Sequence, residues 1–400
     1  MKKTLRLFIG VGILSTFLSS CISGGGTLSS YDHDDTWNYL NGRIVAPYDT
    51  SKMVGEVVIP SEINDTPITG LSSYFLKGCD KITSIVVPNS ITSIAEYAFN
   101  GCSGLESISL PFVGAEEDLN ETYKAVFGYV FGKEAYEGAT QTKQWYMTNT
   151  SEHASAAYTS YIPNKLRKIT ITNDKGLIRG AMSKLANVTE IVLNDEIENI
   201  EEKCFDGCTN LQKIKMPSLL FDIKSEAFLD CSSLEELKLG DKVQSIGDKA
   251  FKGCTSLKRI NSEVNGEFIM PDKIQYIGAY SFSGNTTMTK YVAPFIGISE
   301  SSLDEGGFFG RIFDNKSSDG TTLISFSYNT EALHLNYKAN MYIPTGLKNI
   351  EITRATRVYR YAFKNMERMP NLESIKINKE AQANVGEDAF NNCGVEPEWI

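Results

Sequence analysis

The sequence predicts a mainly β repeat solenoid, and three observations carry that prediction. Residues 204–260 write one phrase almost three times, CFDGCTNLQKIKMPSLLFDIKSE, AFLDCSSLEELKLGDKVQSIGDK and AFKGCTSLKRI, so Phe205, Phe228 and Phe251 stand 23 residues apart, as do Cys208, Cys231 and Cys254. Extended outward, the same register fills the phenylalanine slot with Leu76, Phe99, Met182, Phe282, Phe363 and Phe390, nine copies in all. The residue five before the slot is aliphatic in every copy: Leu71, Ile94, Leu177, Ile200, Ile223, Ile246, Ile277, Val358 and Val385. Beyond the slot runs a Leu-x-x-Ile-x-Leu-like strand, as in Leu105, Ile108 and Leu110, whose alternation gives one buried and one free face.

A period between 20 and 29 residues is that of leucine-rich-repeat solenoids. One such unit cannot cover its own apolar face, so stacking on neighbours is what buries it. Five or six buried groups per unit, at about 1.5–3 kcal/mol each, offset the entropy of ordering the chain. The expected fold is a curved leucine-rich-repeat stack of about nine 23-residue units with two related insertions. The repeats are scaffold, and function comes from what they display.

The run VVPNSITSIAEYAFNGCSGLESISLP, residues 86–111, resembles the BspA-like leucine-rich repeats of bacterial surface proteins, and VVIPSEINDTPITGL, residues 57–71, is similar to the first repeat of such proteins. The resemblance extends over most of residues 53–393. It implies surface display and adhesion, and it brings no shared catalytic residues.

In chain order, Lys2, Lys3 and Arg6 precede an apolar run from Leu7 to Leu18 and then Ser19, Ser20 and Cys21. This is the pattern of a secretory signal, residues 1–20, too short to serve as a membrane span. A cysteine directly after Leu-Ser-Ser resembles the bacterial lipobox, which implies that Cys21 is the lipidated first residue of an exported lipoprotein in the cell envelope. The competing reading is an ordinary signal with an incidental cysteine. Residues 21–36, rich in Gly, Ser and Asp, read as a lipidated flexible tether. Asp32, His33, Asp34 and Asp35 could hold a divalent cation, but read more simply as solvated side chains. Residues 37–60 are expected to cap the open end of the first repeat, and 61–111 to be repeats. A first insertion covers 112–160, repeats resume over 161–293, a second insertion covers 294–341, and 342–400 hold the final repeats and a C-terminal cap.

Loss of residues 1–20 removes three of 39 basic residues and no acidic one, leaving 36 against 49 and a net charge of −13. That sign argues against nucleic acid and against a polybasic membrane face. A lipid, not charge, is expected to hold the protein at the membrane.

The insertions stretch two slot spacings to 83 and 81 residues. They are related to each other: LPFVGAEEDLNETYKAVFGYVFG (110–132) aligns with APFIGISESSLDEGGFFGRIFD (293–314), and YIPNKLRKITIT from Tyr161 with YIPTGLKNIEIT from Tyr342. A large duplication is the simplest account. Tyr123 to Phe131 and Phe308 to Phe313 read as short helices, while 144–150 and 322–329 alternate as strands. Phe127 with Phe309 and Phe131 with Phe313 read as pegs packing each insertion on the solenoid. Ten aromatic residues fall within 111–162, and insertions on repeat scaffolds often map to a binding face. Trp145, Tyr146, Phe326 and Tyr328 are the candidate ligand contacts, suited to sugar rings or an apolar protein anchor, with packing as the plainer alternative.

Cys79, Cys102, Cys208, Cys231, Cys254 and Cys393 occupy one ladder slot, which Leu185 and Met366 fill in two other repeats. Apolar substitutes point to buried, packed thiols rather than disulfides. Cys204 fills a slot that elsewhere holds alanine, and no further Cys or His lies at metal-ligand spacing. None of His33, His153 and His334 is near a nucleophile motif, and GYVFGK (128–133) is one residue short of a phosphate loop. No metal, cofactor or catalytic residue is assigned. The expected function is a surface-exposed, non-enzymatic binding or adhesion lipoprotein that recognises a protein or glycan through its strand face and aromatic insertions. The alternatives are an envelope scaffold or self-assembling spacer and, more remotely, a carbohydrate-active enzyme.

Overall fold

The computed structural model describes residues 31–117, 119, 122–147, 155–302, 304–329 and 336–400, so residues 1–20, read from sequence as a secretory signal, and Cys21 lie outside the described residues. The chain forms a mainly β repeat solenoid in which each rung contributes to two kinds of parallel sheet. The aliphatic residue five before the slot lies in a two-residue strand, as in Asn199–Ile200, Asp222–Ile223, Ser245–Ile246 and Tyr276–Ile277, paired in parallel with its neighbours. The Leu-x-x-Ile-x-Leu segment supplies a longer strand. Gly55–Val58, Ile82–Val86, Ser107–Leu110, Lys168–Ile171, Glu190–Val192 and Lys213–Lys215 lie side by side in one such sheet. A seven-stranded sheet from Glu236–Leu237 to Glu398–Trp399 continues the stack, joined where the Glu235 amide donates to the Gln212 carbonyl at 3.3 Å.

Between the two strands a tight turn drives the slot side chain into the axis of the stack. Eight of the nine slot residues are buried, and the rings of Phe205, Phe228, Phe251 and Phe282 stack at centroid separations of 5.0, 5.3 and 5.9 Å. Ring pairs of this kind add about 0.5–1.5 kcal/mol beyond area burial. The turn needs a left-handed residue two before the slot and another two after it, in all nine copies. After the slot this falls on Gly78, Gly101, Gly207, Gly253 and Gly284, and on Lys184, Asp230, Asn365 and Asn392; before it on Tyr74, Tyr97, Gly180, Lys203, Glu226, Lys249, Tyr280, Tyr361 and Asp388. A side chain in that region costs about 1–2 kcal/mol, so glycine relieves strain at the second position, where it is common. What holds the first is hydrogen bonding between rungs: Lys203, Phe205 and Gly207 donate to the carbonyls of Ser225, Ala227 and Leu229 at 3.2, 2.8 and 2.8 Å.

The cysteine slot has its own ladder. The thiols of Cys102, Cys208, Cys231 and Cys254 donate to the carbonyls of Leu76, Met182, Phe205 and Phe228, the slot residues one rung earlier, at 3.5, 3.2, 3.2 and 3.3 Å. A small apolar group with a weak donor fits there. All seven described cysteines are unpaired thiols, buried except for half-buried Cys79.

The insertions divide differently from the expected boundaries. Phe99 donates its amide to the Val130 carbonyl at 3.0 Å and Phe127 to the Ala181 carbonyl at 2.8 Å; in the second copy Phe282 pairs with Ile312 and Phe309 with Ala362, both at 3.0 Å. Residues Phe127–Val130 and Phe309–Ile312, single 3-10 turns rather than longer helices, therefore occupy rungs of the stack. Each insertion hides one more rung, closed by the strand-side residues Leu166, Ile169 and Ile171 or Leu347, Ile350 and Ile352, all buried. Only the hairpins Ala139–Met147 with Ser155–Pro163, and Thr321–Asn329 with Asn336–Pro344, are additions. Each forms its own two-stranded sheet, tied to the turn before it where the Tyr161 amide donates to the Gly132 carbonyl at 3.0 Å and the Tyr342 amide to the Asp314 carbonyl at 2.8 Å.

The ends also differ from expectation. Asp32–His33, assigned to the tether, pairs antiparallel with Trp37–Leu40. Asp34 Oδ1 accepts from the Thr36 and Trp37 amides at 2.6 and 2.5 Å, and Asp35 meets Lys52 at 2.9 Å, so this acidic cluster folds the cap. The hairpin continues into Arg43–Pro47, which pairs in parallel with Gly70–Leu71 and covers the first rung. At the other end Val385 is 42% exposed, although its eight counterparts are buried, because no further rung lies on it.

Burial pushes the Cys208 thiol from an ordinary 9 to about 12. Folding thus holds the thiol protonated while the unfolded chain ionises above about pH 9, so stability should fall with rising pH by about 1.4 kcal/mol per unit for this thiol, until pH 12. Urea midpoints at pH 8 and 10.5 should show a shallower loss for Cys208→Ala than for the parent; equal losses would refute the assignment.

Candidate functional site

The outward row of the strand face carries charge of alternating sign. Across successive rungs it reads Lys168, Glu190, Lys213, Glu236, Arg259, Glu267 and Lys290. Lys168 meets Glu190 at 2.7 Å, Arg259 contacts Glu236, and Lys290 approaches Glu267 at 3.9 Å. Individually such pairs contribute about 0–1 kcal/mol. Collectively they engage six of the row's seven charges and leave Lys213 as its one unpaired cation among the described residues. The turn row behaves alike, with Glu226 between Lys203 at 3.4 Å and Lys249 at 2.9 Å.

The two hairpins are different. In the first, Gln144 is fully buried: its side-chain oxygen accepts from the Gly128 amide at 2.6 Å and its nitrogen donates to the Ala181 carbonyl at 3.0 Å, pinning the hairpin to the turn beneath. Tyr123 stacks on Tyr158 at 5.8 Å, with Tyr129 and Tyr146 at 6.1 and 6.3 Å from Tyr123. Lys133 lies 4.9 Å over Tyr158, whose hydroxyl donates to Glu96 at 2.7 Å. Burial, with that bond to Glu96, pushes the Tyr158 phenol well above its usual value. Trp145 is 41% exposed and Tyr146 half-buried.

In the second hairpin the strand pairing places Phe326 and Tyr328 on the covered face. They are only 6% and 3% exposed, packed edge-on against Phe308 at 5.2 and 5.1 Å, and Tyr328 bonds Glu305. Both candidates are therefore core groups that fasten the hairpin, not ligand anchors. Beside them lies an open groove of about 270 Å³ lined by Tyr280, Glu305, Phe308, Arg311, Asn315, Lys338, Ala339, Asn340 and Met341. Arg311 donates to the Tyr280 hydroxyl at 2.7 Å, lies 4.9 Å over its ring, and meets Glu305 at 3.2 Å. None of the groove's polar residues was singled out from sequence. The signal was in the aligned copies, where Tyr129 becomes Arg311 and Tyr158 becomes Ala339. No grouping of three or more metal-ligating side chains occurs among the described residues, and no described helix is long and apolar enough to cross a membrane.

The family model for the BspA type leucine rich repeat region matches residues 69–179, 175–295 and 322–397, in six copies. The chain belongs to that family. Among solved structures it is similar to a leucine-rich repeat protein from Bacteroides ovatus (20% identity, 92% of this chain and 81% of that one, TM-score 0.40). A leucine rich cell surface protein from Faecalibacterium prausnitzii is similar at 15% identity, over 94% and 96% of the two chains, with a TM-score of 0.32. A leucine rich repeat protein from T. pallidum shares 18% identity over 64% and 79%, with a TM-score of 0.22. No curated protein matches significantly. The BspA-type match leaves out residues 296–321, and this stretch supplies Glu305, Phe308, Arg311 and Asn315 to the groove.

Phe326→Ala should destabilise the protein by about 3–5 kcal/mol, as expected for a buried aromatic side chain. Trp145→Ala should change stability by less than about 1 kcal/mol, since the ring is largely outside the core. Denaturant unfolding of the two variants distinguishes a packing residue from a display residue; equal losses would contradict this division.

Proposed function

We propose that this BspA-type repeat protein is a non-enzymatic binding protein displayed at the cell surface, tethered by a lipid on Cys21, with its ligand contacts on the two hairpins. The observation that carries the reading is the contrast between the surfaces. Six of the seven charges in the outward strand row are spent on neighbouring rungs, with Lys213 outside any ion pair among the described residues, whereas the hairpins offer exposed Trp145 and, at Lys338, a cation with no carboxylate partner among the described residues. A repeat stack with hydrogen bonds from rung to rung holds such groups rigid and so lowers the ordering cost of association. The family supports surface display, and the basic, apolar and Leu-Ser-Ser-Cys sequence of residues 1–21 supports the anchor.

Binding of the full chain to an array of extracellular-matrix proteins and glycans tests this reading. The double variant Trp145→Ala with Lys338→Gln should lose at least about tenfold in affinity, or about 1.4 kcal/mol, while Lys213→Gln stays within about twofold of the parent. Loss on Lys213→Gln alone would move the contacts to the strand face. For the anchor, Cys21→Ser should abolish incorporation of labelled fatty acid and release the protein from the membrane fraction. Continued labelling would exclude Cys21 as the lipidated residue.

A further inference from the structure

The duplicated insertions carry the same 3-10 turn, the same hairpin register and the same pegs, and one of the differences between them opens a space. In the first copy the space between turn and hairpin is filled by the rings of Tyr123, Tyr129 and Tyr158, with Lys133 over the last of them. In the second copy Glu305 lies near the aligned position of Tyr123, Arg311 at that of Tyr129 and Ala339 at that of Tyr158, and a groove of about 270 Å³ opens. Filling by three aromatic rings has been replaced by a cavity lined with charge and amide.

The lining is specific in kind. Arg311 and Lys338 set two positive charges against the one carboxylate of Glu305, in a chain whose net charge is −10. Arg311 is held in place by the Tyr280 hydroxyl and ring and by Glu305, and its planar fork has donors beyond those two bonds. Asn315 and Asn340 are exposed at the groove; Asn315 offers an amide donor and a carbonyl acceptor, and Asn340, whose carbonyl accepts from the Ser325 hydroxyl at 2.8 Å, offers its amide donors. Hydroxyl groups, which donate and accept, match amides and a carboxylate of this sort; an acidic peptide side chain offers acceptors alone. The volume lies just below the roughly 300–1,000 Å³ usual for ligand pockets and suits about one or two sugar rings rather than a protein surface.

We propose that this groove binds an acidic saccharide, taking its carboxylate on Arg311 and Lys338 and its hydroxyls on Asn315, Asn340 and Glu305. The proposal rests on the reading of the protein as a binding protein with contacts on its hairpins, and names the ligand class of one of them.

Isothermal titration of the full chain, purified in detergent, with digalacturonic acid is the test, with cellobiose and tetraglutamate as companions. Saturable digalacturonate binding is expected, at least about tenfold tighter than cellobiose or tetraglutamate. Lys338→Gln, on an exposed residue, should weaken it about tenfold, with weakening by added salt reduced in step. Ala339→Tyr should abolish it by refilling the groove as Tyr158 fills the first copy, with an unfolding midpoint close to the parent's. Equal binding of cellobiose, or tighter binding of tetraglutamate, would overturn the assignment to acidic sugars. Binding unchanged in both variants would remove the site from the groove. Absence of digalacturonate binding, in protein that still binds its array ligand, would overturn this proposal alone; silence in both assays would overturn the general reading with it.

Discussion

The architecture depends on one constraint, the turn that buries the slot side chain between two left-handed residues. Left-handed backbone at lysine, glutamate or tyrosine is unfavourable by about 1–2 kcal/mol each. The isolated unit therefore has reason not to adopt it. Only when the next rung supplies carbonyls to the turn amides, and its own aromatic ring to the slot, does the conformation become favourable. Stacking is thus a condition of the rung's shape and not merely a way of hiding its apolar side.

That dependence explains what the duplication preserved. A hairpin can be added only where the turn beneath it still passes hydrogen bonds in both directions, and the 3-10 turns at Phe127–Val130 and Phe309–Ile312 do this while holding Phe131 and Phe313 in the axis. The same condition explains the ends. Arg43–Pro47 supplies a strand to the first rung, whereas at the last rung Val385 stays open and Trp399 packs edge-on against Phe390 at 6.3 Å.

Charge follows the same geometry. A residue on one rung has its counterpart from the next directly beside it, so alternating signs nearly balance along the strand face with every paired ion at least partly exposed. The hairpins lie outside that period and escape its pairing. The two copies differ most on surfaces that do not serve the stack, where one carries Tyr129 and Tyr158 and the other Arg311 and Ala339.

Much of this was legible in the sequence, because a repeat writes its contacts at a fixed spacing. Slot, aliphatic ladder and cysteine ladder could be read from positions alone, and the family from their pattern. The left-handed position before the slot could not, since Lys203, Glu226 and Tyr280 carry no glycine signal and are held by amides on the next rung. The hidden rungs were equally invisible: Phe99 meets Val130 31 residues on, and Phe127 meets Ala181 54 residues on, at no repeat period. Strand alternation marked 322–329 but could not say which face would be covered. Phe326 and Tyr328 became core and Trp145 stayed exposed because of what Phe308 and the underlying turn present to each hairpin. Periodicity is a local property and decided the ladder; the groove arises where segments 20 to 60 residues apart meet, and only the folded chain brings them together.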